Sequence, residues 1–225
     1  GPWQVPTGDV AVTATDYNSQ LGEAMSIGER TPLSLINPKA SARIAVAESI
    51  MNISAASICD ISDISLSANW MADSKNKGDN YALFKAVEAI GEDLCPALGI
   101  AIPVGKDSLS MRTAWKCNEG KNIVSAPMSL IITAASAVNN IKNTLTPELN
   151  LDKGNEIVFL DLAAGKQRLG GSALAQAYSQ LGDECPDLES SKILRDFFSI
   201  IQELNTKKKI LAYHDRSDGG LFACL

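Results

Sequence analysis

Residues 40–57 contain neither glycine nor proline and are rich in Ala, Ile, Val and Met, so nothing in the run interrupts a helix. Val46, Ile50 and Ile53 fall along one stripe, and the spacing predicts a well-buried helix over 40–57. A helix of that kind needs other layers of structure around it, which restricts the rest of the chain to a layered fold.

Elsewhere, strand-like and helix-like segments alternate. Residues 9–15 set Val10 and Val12 against Asp9, Ala11 and Thr13, a period-two pattern that predicts a strand. Asp79 reads as the cap of a second helix, with Leu83, Val87, Ile90 and Leu94 on one face and an end near Pro96 and Gly99. Residues 99–104 and 129–138 read as strands, the latter apolar enough to be covered on both faces. A run with Asn139, Asn140, Asn143, Pro147, Asn150 and Gly154 reads as a linker. Beyond it the pattern predicts a strand over 156–162, a glycine turn at 169–172 leading into a helix through Leu181, a helix over about 188–205 and a strand over 209–213. The expectation is an α/β first unit with a mixed sheet over 1–145, then the start of an α+β second unit over 153–225. The opening Gly1-Pro2 and the closing Gly219-Gly220 with its apolar tail give the expectation of a piece cut from a longer chain.

Composition narrows the classes of function. The chain is 45% hydrophobic, enough for a real core, and its formal net charge is −6. Its basic run, Lys207 to Lys209, reads as a solvated helix end, since a nucleic-acid surface requires a broad basic face. No apolar stretch reaches the ~18 residues of a membrane span, and the N-terminus carries no secretory pattern. Five cysteines without a CxxC pair argue against a disulfide framework or a zinc site, and the expected location is the cytoplasm.

Candidate chemistry lies in two places. Glu48 and Asn52, four apart on the 40–57 helix, put a carboxylate and an amide oxygen on one face, nearly opposite the apolar stripe. Such a pair is also common as a plain surface or packing feature. Hard oxygen ligands side by side suit Mg2+, which takes one or two carboxylates plus phosphate oxygens and water. A further acid from another element would complete the protein's share, and Asp9 and Asp215 are the candidates. The second place is 214–220 (HDRSDGG), which follows an apolar strand-like segment and ends in a glycine pair able to approach phosphate closely. His214 is the sole histidine and reads as a structural hydrogen-bonding group rather than an acid or base. Lys106, with Asp107 and Ser108, is open to a phosphate contact or an interdomain ion pair, while Arg30 and Trp70 are explained as readily by packing.

Five stretches together carry a family resemblance: 1–6 (GPWQVP), 22–30 (GEAMSIGER), 66–71 (LSANWM), 103–108 (PVGKDS) and 213–220 (YHDRSDGG). In this order they resemble the second synthetase repeat of the large, single-chain phosphoribosylformylglycinamidine synthase family, essentially end to end. The resemblance implies a fold similar to aminoimidazole ribonucleotide synthetase, with a first domain whose sheet pairs with a sister repeat. It implies Mg2+ at Asp9, Glu48, Asn52 and Asp215, ATP or ADP contacts at Gly8 and Ser217, and no catalytic nucleophile in this region. The reaction implied is the ATP-dependent conversion of formylglycinamide ribonucleotide and glutamine to formylglycinamidine ribonucleotide in purine biosynthesis, with a glutaminase domain and the sister repeat as partners. A permanently held structural ADP, or another synthetase of the same fold such as a selenophosphate synthetase or a hydrogenase-maturation protein, are the alternatives. Without its sister repeat the first unit is expected to self-associate.

Overall fold

The computed structural model of the chain describes residues 7–118, 120–151 and 154–225. The motif at 1–6 and the predicted domain start at 153 lie outside them.

A mixed five-stranded sheet forms the centre, in the order β1 (Ala11–Ala14), β2 (Gly22–Glu29), β7 (Ser129–Val138), β3 (Ser65–Met71), β4 (Ala101–Ser108). Adjacent strands run antiparallel except β3 and β4, which are parallel. That pair requires a crossover, supplied by α2 (Asp79–Glu88), a π-helical turn (Ala89–Leu94) and α3 (Cys95–Leu98). Gly99 closes this run with φ 70°, the left-handed conformation that a glycine adopts without steric cost. A separate hairpin, β5 (Arg112–Cys117) and β6 (Gly120–Ser125), projects between β4 and β7 in the chain. Buried Asp73 ties its base down by accepting from Arg112 Nε at 2.7 Å and Ser125 Oγ at 2.6 Å.

The expected buried helix is α1 (Pro38–Ile53). Asn37 caps it by accepting from the Ala40 amide, and Pro38 sits where a missing N–H costs nothing. It lies across β2 and β7, with α2 along one side and α5 (Ser191–Thr206) touching another. Its buried residues therefore extend around most of the circumference, from Ala42, Ala45 and Val46 to Ser49, Ile50 and Ile53. Close approach to the sheet is possible because β2 turns Gly22, Ala24, Ser26 and Gly28 inward. A Cβ on Gly28 would come within 2.1 Å of the Ala45 carbonyl oxygen.

The structure shifts several sequence-based expectations. The cap of α2 is Gly78, with φ 100°; Asp79 is the first helical residue, and its carboxylate accepts from the Asp73 amide and the Asn76 side chain. β7 spans the predicted residues, but one of its faces is only partly covered. The strands predicted over 156–162 and 209–213 form no ladder among the described residues, because β propensity becomes a strand only where a neighbouring chain accepts the hydrogen bonds. The helix after the glycine turn is short, α4 (Ala173–Ala177), whereas α5 falls where the pattern put it.

α5 packs onto the core around α1 through Leu194, Phe197, Phe198 and Ile201, and Gln202 bridges the Ile58 amide and the Ser54 carbonyl. Behind it, Tyr213 packs against Phe197 and donates from its hydroxyl to the Met51 carbonyl at 2.8 Å, at the end of α1. This anchor delivers the next residues, His214 and Asp215, to the start of β1. No helix among the described residues is long and apolar enough to cross a membrane, and all five cysteines are free.

Candidate functional site

Asp9 stands just before β1, with its side chain only 3% exposed. His214 Nδ1 lies 2.9 Å from Asp9 Oδ1, and the Asp215 amide donates to the same oxygen at 3.4 Å. The Asp215 side chain is 8% exposed. One ligand atom from each of Asp9, His214 and Asp215 falls within 4.8 Å of the others. Two chain regions some two hundred residues apart thus meet, one fixed by the sheet edge and the other by the Tyr213 anchor.

Glu48 enters from α1. Its Oε2 accepts from the Glu29 amide at 2.7 Å, which ties the helix to the end of β2. Burial pushes its pKa from 4.5 up to about 7, opposed by that hydrogen bond and by Arg30, and the negative charge of Asp215 raises it further. Asp9 is likewise pushed from 3.8 to about 6, chiefly by burial, against the pull of His214.

Asn52, one helical turn beyond Glu48, donates from Nδ2 to the Ile27 carbonyl at 2.9 Å. That bond fixes the amide and turns Oδ1 the other way, where it is buried with no hydrogen-bond partner. Asp9 Oδ2 is buried and unpartnered as well. Buried oxygens of this kind cost free energy unless something positive meets them.

The described geometry therefore joins Asp9 with Asp215, puts Glu48 within electrostatic reach of Asp215, and leaves an orphaned acceptor on Asn52. Gly8 and Ser217 flank the cluster on the exposed side, and Ser217 Oγ donates to Asp215 Oδ1. Lys106 is not drawn in: its ammonium donates to Ser108 Oγ, two residues along β4, and not to the expected interdomain carboxylate. Trp70 is half-buried against the core, as packing requires.

Two residues matter more than the sequence indicates. His214 makes the hydrogen bond expected of it, but to Asp9 itself, inside the acidic cluster. Arg30 forms an ion pair at 2.7 Å with Asp218, 188 positions away in the chain. Arg30 was visible in the sequence only as part of the 22–30 motif, and nothing local shows that the end of β2 faces the 214–220 loop.

Two solved structures share this architecture. One is PurLQS from Thermotoga maritima, with a TM-score of 0.60 at 14% identity over 97% of this chain and 31% of that one. The other is T. maritima PurL complexed with FGAR, with a TM-score of 0.63 at 13% identity over 96% of this chain and 32% of that one. The chain thus spans about a third of the length of each, and the likeness at these identities is one of fold. Residues 1–137 match the family model of the FGAR-AT PurM_N-like domain, more than half of the sequence, so the chain belongs to that family.

Proposed function

We propose that this chain contributes a divalent-cation and nucleotide half-site to an ATP-dependent ligase of purine biosynthesis, one that converts formylglycinamide ribonucleotide and glutamine to formylglycinamidine ribonucleotide. The observation that carries the reading is the pair of buried acceptors without partners, Asp9 Oδ2 and Asn52 Oδ1, together with the burial that pushes the carboxyls of Asp9 and Glu48 toward neutrality. An all-oxygen set of this kind fits Mg2+, with Asp9, Glu48, Asn52 and Asp215 as the residues that would hold it. When bound, such an ion neutralises phosphate oxygens and orients a transferable phosphoryl group.

The chain's own groups do the rest. The Glu29 amide and the Ile27 carbonyl hold Glu48 and Asn52 in orientation. His214 fixes the rotamer of Asp9, and Ser217 sits at the exposed rim, where with Gly8 it would meet the nucleotide. Sister repeat and glutaminase domain are proposed as the partners in the complete enzyme. The open face of the sheet supports the first of these. Register sets Met25 beside Ala135 and Ile27 beside Thr133, and Met25 and Ile27 are more than half exposed.

A second reading, that the site holds ADP as a structural element, is favoured by one observation. The only imidazole in the cluster is committed to Asp9, which leaves no free imidazole there among the described residues. Substituting Asp215→Asn in the intact enzyme separates the two readings. Turnover should fall steeply with little change in melting temperature if the site is catalytic, and the melting temperature should drop first if the site is structural.

A further inference from the structure

Asp215 and Ser217 belong to a segment, exposed from Arg216 to Gly219, that lies outside any strand or long helix. Their neighbours Arg216 and Asp218 reach away to separate supports. The Arg216 guanidinium lies over the Phe159 ring, 5.5 Å from its centroid, and Asp218 pairs with Arg30 at 2.7 Å. Immediately afterwards Gly219 and Gly220 take φ of 92° and 75°, and Gly220 donates to the Ser217 carbonyl at 3.1 Å. Consecutive left-handed glycines allow the segment to swing without side-chain strain.

Arg30 is itself firmly placed. Its carbonyl accepts from Ser41 Oγ at 2.8 Å, and its neighbour Glu29 is tied to Glu48. The guanidinium also acts electrostatically on Glu48. A single cation therefore faces an acidic residue of α1 on one side and the glycine-jointed segment on the other.

We infer that the Arg30–Asp218 pair is a latch that positions the segment bearing Asp215 and Ser217 against Asp9 and Glu48, so that Arg30 and Asp218 are positioning residues for the site. Asp218 is 68% exposed and Arg30 23%, so the pair is of the weak, solvent-screened kind. That strength suits a latch that opens for a ligand to pass rather than a permanent brace. The inference rests on the proposed nucleotide and cation site for its functional meaning, but not for its geometry.

The test is a double-mutant cycle of Arg30→Gln and Asp218→Asn read by amide hydrogen exchange over 214–220 without ligand, and by calorimetry with Mg·ADP. Each single substitution should speed exchange of the Asp215 and Gly220 amides by about two- to fivefold, and the double should add nothing further. Asp218→Glu should restore protection, which a general loss of packing would not allow. Mg·ADP affinity should weaken by the same factor. Exchange unchanged in Asp218→Asn, or effects that simply add in the double variant, would overturn the latch whether or not nucleotide binds. If the exchange cycle holds while the unsubstituted protein takes up no Mg·ADP, the latch stands and the proposed function falls.

Discussion

Asp9 and Glu48 keep their protons to a higher pH than carboxyls in water because burial disfavours the charged form, and the pH dependence of stability follows from this. From about pH 4.5 to about 6 the unfolded chain has released both protons while the folded chain retains them, and Glu48 alone extends the difference to about pH 7, so without a cation stability should fall as pH rises through that window. Mg2+ binds the ionised carboxylates, so the rise in melting temperature that it causes should grow from pH 5 to pH 8. Melting curves with and without Mg2+ across that range check this, and an increment independent of pH would contradict it. Asn52→Leu offers a complementary check at the same scale. It removes an orphaned oxygen and one hydrogen bond to Ile27, so it should abolish the Mg2+ increment while altering cation-free stability by only about 1 kcal/mol. These site residues were legible in the sequence as types and spacings. Their mutual placement was not, because Asp9 and Asp215 meet through tertiary contacts such as the Tyr213 anchor, which no local pattern encodes.

At the level of elements, legibility tracked the size of the buried side chains. α1 and α5 were readable because large apolar residues recur at helical spacing. β2 offers no such signal: it buries Gly22, Ala24, Ser26 and Gly28 and exposes Glu23, Met25 and Ile27, the reverse of the usual half-buried strand. The inversion has a cause, since α1 lies so close that only small residues fit beneath it. Gly28→Ala should accordingly cost about 1–3 kcal/mol or more, because the added methyl meets backbone atoms of Ala45 and Ser49 that cannot yield as a flexible side chain would. Denaturant unfolding measures it, and a neutral result would mean that α1 slides freely on the sheet. The segments at 156–162 and 209–213 failed in the opposite way, with strand-like sequence but no ladder among the described residues. Local composition states a preference, and the partner decides the outcome.

Across the whole molecule, the sheet is covered by helices on one face and open on the other, where Met25, Ile27 and Val104 are largely exposed. Apolar surface left open in this way drives association. The chain should therefore self-associate at micromolar concentration, and a Met25→Lys and Ile27→Lys double variant should be monomeric by light scattering with its fold intact. A monomer before substitution would remove the argument that this face receives a sister repeat. The central claim, that distant oxygens are gathered around one cation beside a phosphate, is tested most directly by titrating the chain with Mg·ADP in a calorimeter. The account expects saturable binding that requires Mg2+ and is lost in Asp9→Asn. Absence of binding, or binding indifferent to Mg2+ and to Asp9, would contradict it.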